Sequence, residues 1–244
     1  MSEEIRLNDS KLGTKEYWNQ FYKTEITNFN DNEEDLGECW FDDSDAERKV
    51  IQFFCDLIEN KEIDSNLSVC DLGTGNGHFL FELYDSIIEE DIDASLEYHG
   101  IDYSPESVQL AISIAKKKYS DQEFVFEQVD FIAKECSYLE DKAGKFDVLF
   151  DKGTLDAIAL NNSPIEGFGS KIGIDVYPSQ VTKLMHPGSL LIITSCNFTE
   201  EELIKLITKD AANGLSVWKK IEYPSYEFGG VKGSTICSIA FRKD

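Results

Sequence analysis

The strongest local signal in the sequence is the run Val69-Cys70-Asp71-Leu72-Gly73-Thr74-Gly75-Asn76-Gly77-His78-Phe79, a short apolar segment that ends in an acid and three alternate glycines. A strand that stops at Asp71 and gives way to a helix near His78 would gather backbone N–H groups at a helix N-terminus, which is a cradle for nucleotides and anions. Glycine suits this turn because a Cβ would block both positive φ angles and the close approach of a ligand. The run predicts a ligand site at the end of the first strand of an α/β protein.

The charge of this turn indicates the charge of its ligand. The spacing is Gly-x-Gly-x-Gly, and Asp71 lies two residues before the first glycine. A pyrophosphate would face that carboxylate with no charge to offset it, so a cationic ligand is favoured. S-adenosylmethionine carries an ammonium and a sulfonium and meets this requirement. The alternative is a tight structural turn without a ligand, and the downstream residues decide between the two.

Length and composition limit the class of protein. The 244 residues are enough for one large α/β domain, and no break in composition demands a second, so a single domain over residues 1–244 is expected. A membrane span and a secretory signal are not expected, since the sequence has no apolar run of about 18 residues and no charged-then-apolar N-terminus. The six cysteines lack C-x-x-C pairing and the three histidines lack metal-ligand spacing, which favours a reduced, cytoplasmic protein without a metal.

The chain is strongly acidic. Its net charge of −24 repels the phosphates of nucleic acids and anionic lipids, so no direct binding to nucleic acid or membrane is expected. The same charge would steer a basic macromolecule toward the surface. The alternative is that the acidity serves only solubility.

Strand and helix patterns alternate along most of the chain. Predicted strands cover residues 67–71, 98–102, 124–129, 146–150, 189–194, 217–223 and 235–241, the last two joined by a turn at Gly229-Gly230. Predicted helices begin near Gly13, at a Ser44/Glu47 capping box, at Phe79, at Ser104-Pro105, near Asp175 with Pro178 close to the start, and at a Thr199/Glu202 capping box. Residues 28–35 are predicted to break the first helix. This alternation predicts a mostly parallel sheet with helices on both faces.

Four acids, Asp71, Asp102, Asp130 and Asp151, each end a predicted strand. In a parallel sheet these ends share one edge, so the four carboxylates should converge on the ligand crevice. Each acid taken singly is explained equally well by solvation or helix capping, because Asp and Glu supply 47 of the 244 residues. The joint pattern is what points to a site.

Each position suggests a role for its side chain. Asp102 is placed to accept hydrogen bonds from ribose hydroxyls. Asp130 with Phe131 would take the adenine amino group and ring, and Asp71 would favour the ammonium of the methionine part. Asp151 is expected to orient either the amino-acid end of the ligand or the incoming nucleophile.

These residues together resemble the seven-stranded, S-adenosylmethionine-dependent methyltransferases, and more narrowly the lysine methyltransferases of translation elongation factor 1-alpha. The resemblance rests on residues 12–18, 37–41, 71–77, 100–104, 150–158 and 194–203. It implies a Rossmann-like seven-stranded sheet, mostly parallel, with an antiparallel strand at the C-terminal end. The cofactor-binding residues implied are Asp71, Gly73, Thr74, Gly75, Asn76, Gly77, Asp102, Tyr103, Asp130, Phe131 and Asp151.

The resemblance also implies a cytoplasmic enzyme that methylates a lysine of the elongation factor, a basic protein, with residues 1–45 as an N-terminal extension over the active site. Asp151 is the first candidate for a general base that takes the proton of the lysine amine. Trp18 and Trp40 are candidate walls around the lysine stem, and core packing is the alternative for both. Asn197 is a candidate substrate ligand, and the alternative is that it serves the turn before the next helix.

Three other functions fit parts of this pattern. The same scaffold could methylate a small molecule. A non-catalytic module could retain the cradle and bind a translation factor without turnover. A nicotinamide-dependent dehydrogenase is the third alternative.

Overall fold

The protein is built around a seven-stranded sheet, as seen in a computed structural model that describes residues 5–41, 45–224, 226–228, 231–233 and 235–244. The strands are β1 (Asn66–Leu72), β2 (Ser95–Asp102), β3 (Phe124–Gln128), β4 (Phe146–Lys152), β5 (Met185–Ser195), β6 (Leu215–Ile221), β7 (Tyr226–Phe228), β8 (Val231–Gly233) and β9 (Cys237–Lys243). Their order in the large sheet is β3-β2-β1-β4-β5-β9-β6. The five neighbouring strands β3, β2, β1, β4 and β5 run parallel to one another. β9 is antiparallel to both of its neighbours, β5 and β6. The predicted sheet is therefore confirmed, including its antiparallel C-terminal strand.

Helices cover both faces of the sheet. They are α1 (Lys15–Asp31), α2 (Ala46–Glu59), α3 (His78–Glu89), α4 (Pro105–Lys118), α5 (Ser137–Asp141), α6 (Thr154–Ala159), α7 (Gly173–Val181) and α8 (Glu200–Thr208). One hydrophobic cluster packs the first four helices, α1 through α4, against the sheet. A second cluster packs the last four, α5 through α8, against it. β1 serves both, because Val69 lies in the first and Cys70 and Leu72 lie in the second, as the two-residue period of a strand requires. Among the described residues, no helix is both long and apolar enough to cross a membrane.

Two predicted helix starts are confirmed in detail. The Ser104 hydroxyl accepts a hydrogen bond from the Ser107 N–H (3.4 Å), and Pro105 is the first residue of α4. Thr199 and Glu202 form a reciprocal capping box at the start of α8. Local side-chain chemistry alone sets these two boundaries.

Other predicted boundaries are wrong. Helix α1 continues to Asp31 through the segment predicted to break it, because Phe29 is buried (5 % exposed) and holds the last turn on the core. Helix α7 begins at Gly173 and contains Pro178 in its interior; burial of Ile174 and Tyr177 outweighs the local penalty for proline. The predicted Ser44 cap and the Gly229-Gly230 turn lie outside the described residues.

The connection between β6 and β9 contains more structure than the predicted turn. β7 and β8 pair antiparallel as a separate two-stranded hairpin. It leaves the order of the large sheet unchanged, so β9 still inserts between β5 and β6.

Candidate active site

A cavity of about 300 Å³ lies at the carboxyl ends of the parallel strands. Sites for small molecules start near this size, roughly 300–1,000 Å³. The predicted site residues in its wall are Trp18, Trp40, Asp71, Gly73, Thr74, Gly75, Asn76, Asp102, Tyr103, Asp130, Phe131 and Asn197. Gly77 and Asp151 are not in the wall. The strand ends thus form the floor of the cavity, and residues before α2 form its roof.

The glycine turn has the predicted backbone, and its glycines serve different purposes. Gly75 has φ +59°, and a Cβ there would lie 2.5 Å from the Tyr22 hydroxyl in the cavity wall. Gly77 has φ +83°, and a Cβ there would lie 2.9 Å from the rings of Phe81 and Phe126. A side chain at Gly75 would therefore collide with Tyr22 in the cavity wall, whereas one at Gly77 would collide with the rings packed beneath the turn. Tyr22 is a buried residue of α1, so its place in the wall depends on how α1 docks.

Asp102 is held as an acceptor at the end of β2. Its Oδ2 accepts the Gly75 N–H (3.1 Å) and its Oδ1 accepts the Ser104 N–H (2.9 Å). Burial raises the pKa of this carboxyl group. Each oxygen keeps a further lone pair, so the carboxylate can accept two adjacent hydroxyl groups.

Asp71 lies at the end of β1 and is 3 % exposed. Burial raises its pKa to about 7, although the Lys152 ammonium opposes the rise. The carboxyl group is therefore close to half protonated near neutral pH, and a positively charged ligand would favour its ionised form.

The end of β3 supplies a polar and an aromatic group. Asp130 is exposed, Phe131 is buried, and both line the cavity. The Phe131 ring meets the edge of Tyr177 at 5.9 Å between centroids, which fixes its orientation. The half-buried ring of Tyr103 lies in the same part of the wall.

Asp151 does not have the environment predicted for a general base. Its carboxylate accepts the N–H groups of Thr154 (2.9 Å) and Leu155 (3.1 Å) and the hydroxyl of Tyr177 (2.6 Å). The residue is 1 % exposed and absent from the cavity wall. Helix α6 begins after Gly153, which has no side chain to cap it, so Asp151 satisfies the first N–H groups of that helix. This environment favours a structural role for Asp151 over the predicted contact with the ligand or the nucleophile.

Asp156 is the wall acid that sequence reasoning missed. Its carboxylate accepts the Ser195 hydroxyl and the Cys196 N–H (2.8 Å), and it is 4 % exposed. Burial raises its pKa. Asn197 lies in the same wall with an exposed side chain, while its N–H donates to Ser195 Oγ (3.2 Å). The available signal was that Asp156 belongs to the same Asp-Lys-Gly-Thr-Leu-Asp run as Asp151.

The two predicted tryptophans meet in the roof of the cavity. Their ring centroids are 5.3 Å apart at 67°. The Trp18 indole N–H donates to the Leu12 carbonyl (2.7 Å), whereas the buried Trp40 Nε1 has no hydrogen-bond partner among the described residues. Both tryptophans line the cavity and pack against each other, and their contact with a lysine stem stays a prediction.

The roof is tied to the rest of the fold at several places. The Asn76 side-chain amide donates to the Leu36 carbonyl (2.9 Å). The Ser10 N–H donates to the Leu160 carbonyl (3.0 Å), and Asn161 Nδ2 donates to the Gly13 carbonyl (3.2 Å). The segment before α2 is thus part of the cavity and bonds directly to the glycine turn.

Two cationic side chains stand in the wall beside these acids. Lys152 Nζ donates to the Trp40 carbonyl (2.9 Å) and lies 3.3 Å from Glu47 Oε2. His78 Nδ1 lies 2.8 Å from Glu47 Oε1. Glu47 therefore pairs with both cationic side chains.

The strand order, the cradle at the end of β1 and the acid at the end of β2 define an α/β fold that binds a nucleoside. The chain belongs to the methyltransferase domain family, which matches residues 63–230. It is 47 % identical to Protein-lysine N-methyltransferase EFM4 of Saccharomyces cerevisiae, over 97 % of this chain and 96 % of that protein. It is 30 % identical to EEF1A lysine methyltransferase 2 of Homo sapiens, over 96 % of this chain and 87 % of that protein.

Solved structures give the same fold. N-methyltransferase NodS of Bradyrhizobium japonicum in complex with S-adenosyl-L-homocysteine superposes with a TM-score of 0.56 at 14 % identity, over 93 % of this chain and 98 % of that chain. Magnesium protoporphyrin IX methyltransferase of Synechocystis with bound S-adenosylhomocysteine gives 0.53 at 14 % identity, over 94 % and 98 %. The prediction of a seven-stranded methyltransferase fold is confirmed, and S-adenosylmethionine stays the predicted cofactor.

The described residues fit this cofactor. Asp102 presents paired acceptors for a ribose diol, the missing Cβ of Gly75 keeps the cradle open, and Asp71 is a buried carboxyl that a cation would ionise. A nucleoside cofactor held by these residues would place adenine at the end of β3, ribose at β2 and the methionine part over β1 and β4.

Cofactor binding is expected to release protons near neutral pH. In the free protein Asp71 holds a proton below its pKa of about 7, and the positive charges of S-adenosylmethionine lower that pKa. Affinity should therefore rise with pH up to about 7 and level off above it. Calorimetry at about pH 6.5, in buffers of different ionisation enthalpy, measures the release directly. Asp71→Asn should remove most of it, and an unchanged release in that variant would contradict the assignment.

Proposed function

We propose that the protein is an S-adenosylmethionine-dependent protein-lysine N-methyltransferase whose substrate is translation elongation factor 1-alpha. The observation that carries the proposal is full-length identity, 47 % and 30 %, to relatives named for protein-lysine and EEF1A methylation. The geometry of the cavity supports it, since an acidic and aromatic region adjoins the methionine end of the cofactor position.

The acceptor region suits a lysine side chain. The Trp18 and Trp40 rings offer apolar faces to an alkyl stem, and aromatic faces stabilise a methylated ammonium by about 0.5–2 kcal/mol. Asn197 is an exposed wall residue within reach of a polypeptide from solvent. We assign these three residues to the substrate.

The bound cofactor supplies an activated methyl group on a sulfonium, which a neutral amine displaces in line. Alignment of the two reactants provides much of the rate, up to about 7–11 kcal/mol in favourable cases. A lysine amine must first lose its proton, and we assign Asp156 as the acceptor of that proton, directly or through one water. Its raised pKa brings the carboxyl closer to the range in which a base is effective.

The surface charge supports a basic substrate. A net charge of −24 attracts a cationic protein and repels nucleic acid, and the attraction should weaken as salt screens it. We further propose that residues 1–45 cover the active site of a single domain, as the contacts of Asn76 with Leu36 and of Lys152 with Trp40 suggest. A cytoplasmic location is consistent with this substrate.

The direct test is transfer of label from S-adenosylmethionine to purified elongation factor 1-alpha, followed by mass spectrometric mapping of the modified residue. Labelled lysine is expected. Label found only in low-mass products of an extract would favour a small-molecule substrate instead. Cofactor and partner binding without product would indicate a non-catalytic module.

The role of Asp156 is tested in the same assay. Asp156→Asn is expected to lower kcat by about 10²–10⁴, the usual contribution of a positioned base, and to leave cofactor affinity nearly unchanged. Asp141→Asn, a change at an exposed acid of α5, is the matched control and should behave like the parent. If Asp156→Asn retains full turnover, the proton leaves by another route and the assignment is wrong.

A further inference from the structure

The cavity wall has a marked imbalance of charge. Its described acidic residues are Glu38, Asp71, Asp102, Asp130 and Asp156. Its described basic residues are only Lys152 and His78. S-adenosylmethionine has two cationic groups that suit this wall and one carboxylate that does not. That carboxylate needs a positive partner, since an unpaired charge in a closed site is costly.

The basic residues lie at the correct end of the cavity. With adenine at the end of β3 and ribose at β2, the amino-acid end of the cofactor would lie over β1 and β4. Lys152 is the last residue of β4, beside Thr194 of β5, and His78 is the first residue of α3 after the glycine turn. The opposite end, where adenine lies, has no basic residue in the described wall.

Lys152 is held in place with bonding capacity left over. Its side chain is 14 % exposed, and two of its three ammonium hydrogens are accounted for by the Trp40 carbonyl and Glu47. The ammonium also lies 5.9 Å from the centroid of the Phe41 ring, so its third hydrogen has an aromatic neighbour but no oxygen acceptor among the described residues. The buried Trp40 Nε1, on the residue whose carbonyl Lys152 contacts, is a second donor without a described partner.

Glu47 and His78 set the net charge around Lys152. Glu47 is 9 % exposed and lies between the two cations, 3.3 Å from one and 2.8 Å from the other. Burial alone would lower the pKa of His78, but hydrogen bonds with Cys39 and Glu47 raise it to about 10. The Glu47 carboxylate is thus shared between the Lys152 ammonium and the His78 ring, and it holds Lys152 in place at this end of the cavity.

We propose that Lys152 binds the methionine carboxylate of S-adenosylmethionine, with the Trp40 indole N–H as a second donor, and that Glu47 and His78 are positioning residues for Lys152. This inference concerns the methyl donor only, so it holds whichever acceptor is methylated.

The same cluster also has the composition of a metal site, because ligand atoms of Cys39, Glu47 and His78 all lie within 4.8 Å of one another. A divalent ion there would have to share the Glu47 carboxylate with the Lys152 ammonium, which lies 3.3 Å from Glu47 Oε2. The ammonium would repel such an ion at this distance, so an organic anion is the better occupant.

The test compares the binding of two ligands to the parent and to Lys152→Met by calorimetry. Lys152→Met should weaken binding of S-adenosylmethionine by roughly 10- to 100-fold, the loss expected for a hydrogen bond to a charged group. The variant should bind decarboxylated S-adenosylmethionine as the parent does, since that ligand lacks the carboxylate. Equal losses for both ligands would overturn the proposal, because they would mean that Lys152 only supports the cavity.

Controls separate charge from structure. Lys145→Met removes the same charge from the opposite end of β4, where Lys145 pairs with exposed Glu97, and should change neither affinity. Glu47→Gln should weaken S-adenosylmethionine more than its decarboxylated form, and melting curves without ligand report whether each variant folds. If zinc raises the melting temperature of the parent and Cys39→Ser abolishes the rise, the cluster is a metal site and the proposal is wrong.

Discussion

Asp102→Ala is expected to weaken S-adenosylmethionine and S-adenosylhomocysteine binding by about 10²–10⁴-fold. Two hydrogen bonds from the ribose to a carboxylate are lost, each worth about 1.5–3 kcal/mol. The carboxylate is buried and already oriented by the N–H groups of Gly75 and Ser104, so binding carries no entropy cost for ordering this side chain. Isothermal titration of the purified variant measures the loss.

Two comparisons show whether the loss comes from the ribose contact. Asp130→Ala removes an exposed wall acid at the next strand end and should cost much less. The parent should prefer adenosine over 2′,3′-dideoxyadenosine, and Asp102→Ala should lose that preference. A variant that still discriminates between the two nucleosides would show that the hydroxyl groups bind elsewhere.

The strand-end part of the site is predictable from sequence because it depends on local rules. A strand that ends in an acid before a glycine turn fixes Asp71, and a capped helix after the next strand fixes Asp102. Parallel pairing of β1 with β2 then brings these acids to one edge, as the register of Asp71 with Gly100 shows. Beyond these local signals, only the parallel direction of the two strands is needed to bring the acids together.

Asp151 and Asp156 show where this reasoning fails. Both lie in one short run, and sequence alone cannot say which carboxylate faces the cavity. The chain turns at Gly153 with φ +83°, and the first N–H groups of α6 then donate hydrogen bonds to Asp151. Asp156 lies on α6 itself, and its carboxylate is held in the cavity wall by hydrogen bonds from Ser195 and Cys196, which are distant in the sequence.

The cationic end of the cavity is unpredictable for a related reason. Glu47, His78 and Lys152 come from three separate elements, and only docking of α2 beside α3 and β4 brings them together. A lone lysine or histidine in sequence is more often solvated or paired than functional. The charge imbalance becomes visible only when the whole wall is known.

The hydrogen bonds that Asp151 accepts at the start of α6 lead to an expectation about stability. Asp151→Ala should lower the free energy of unfolding by about 3–6 kcal/mol, because the Tyr177 hydroxyl and two helix N–H groups lose a buried acceptor. For a chain of this length the melting temperature should fall by roughly 6–24 °C. Tyr177→Phe, which removes one of these bonds and keeps the ring, should cost only about 1–2 kcal/mol.

The pH dependence of this cost distinguishes a buried structural carboxyl from a surface one. Burial raises the pKa of Asp151 to about 7 in the folded protein, although hydrogen bonds from Tyr177 and Leu155 oppose the rise. Between about pH 4 and about pH 7 the folded state therefore holds a proton that the unfolded state has released. The stabilisation from this group is therefore complete below about pH 4 and is lost as the pH rises to about 7. Denaturant unfolding of the parent and Asp151→Ala should give a difference in stability that is largest at low pH and narrows toward neutrality. A constant difference across that range would mean that Asp151 is ionised throughout, as a solvent-exposed acid would be.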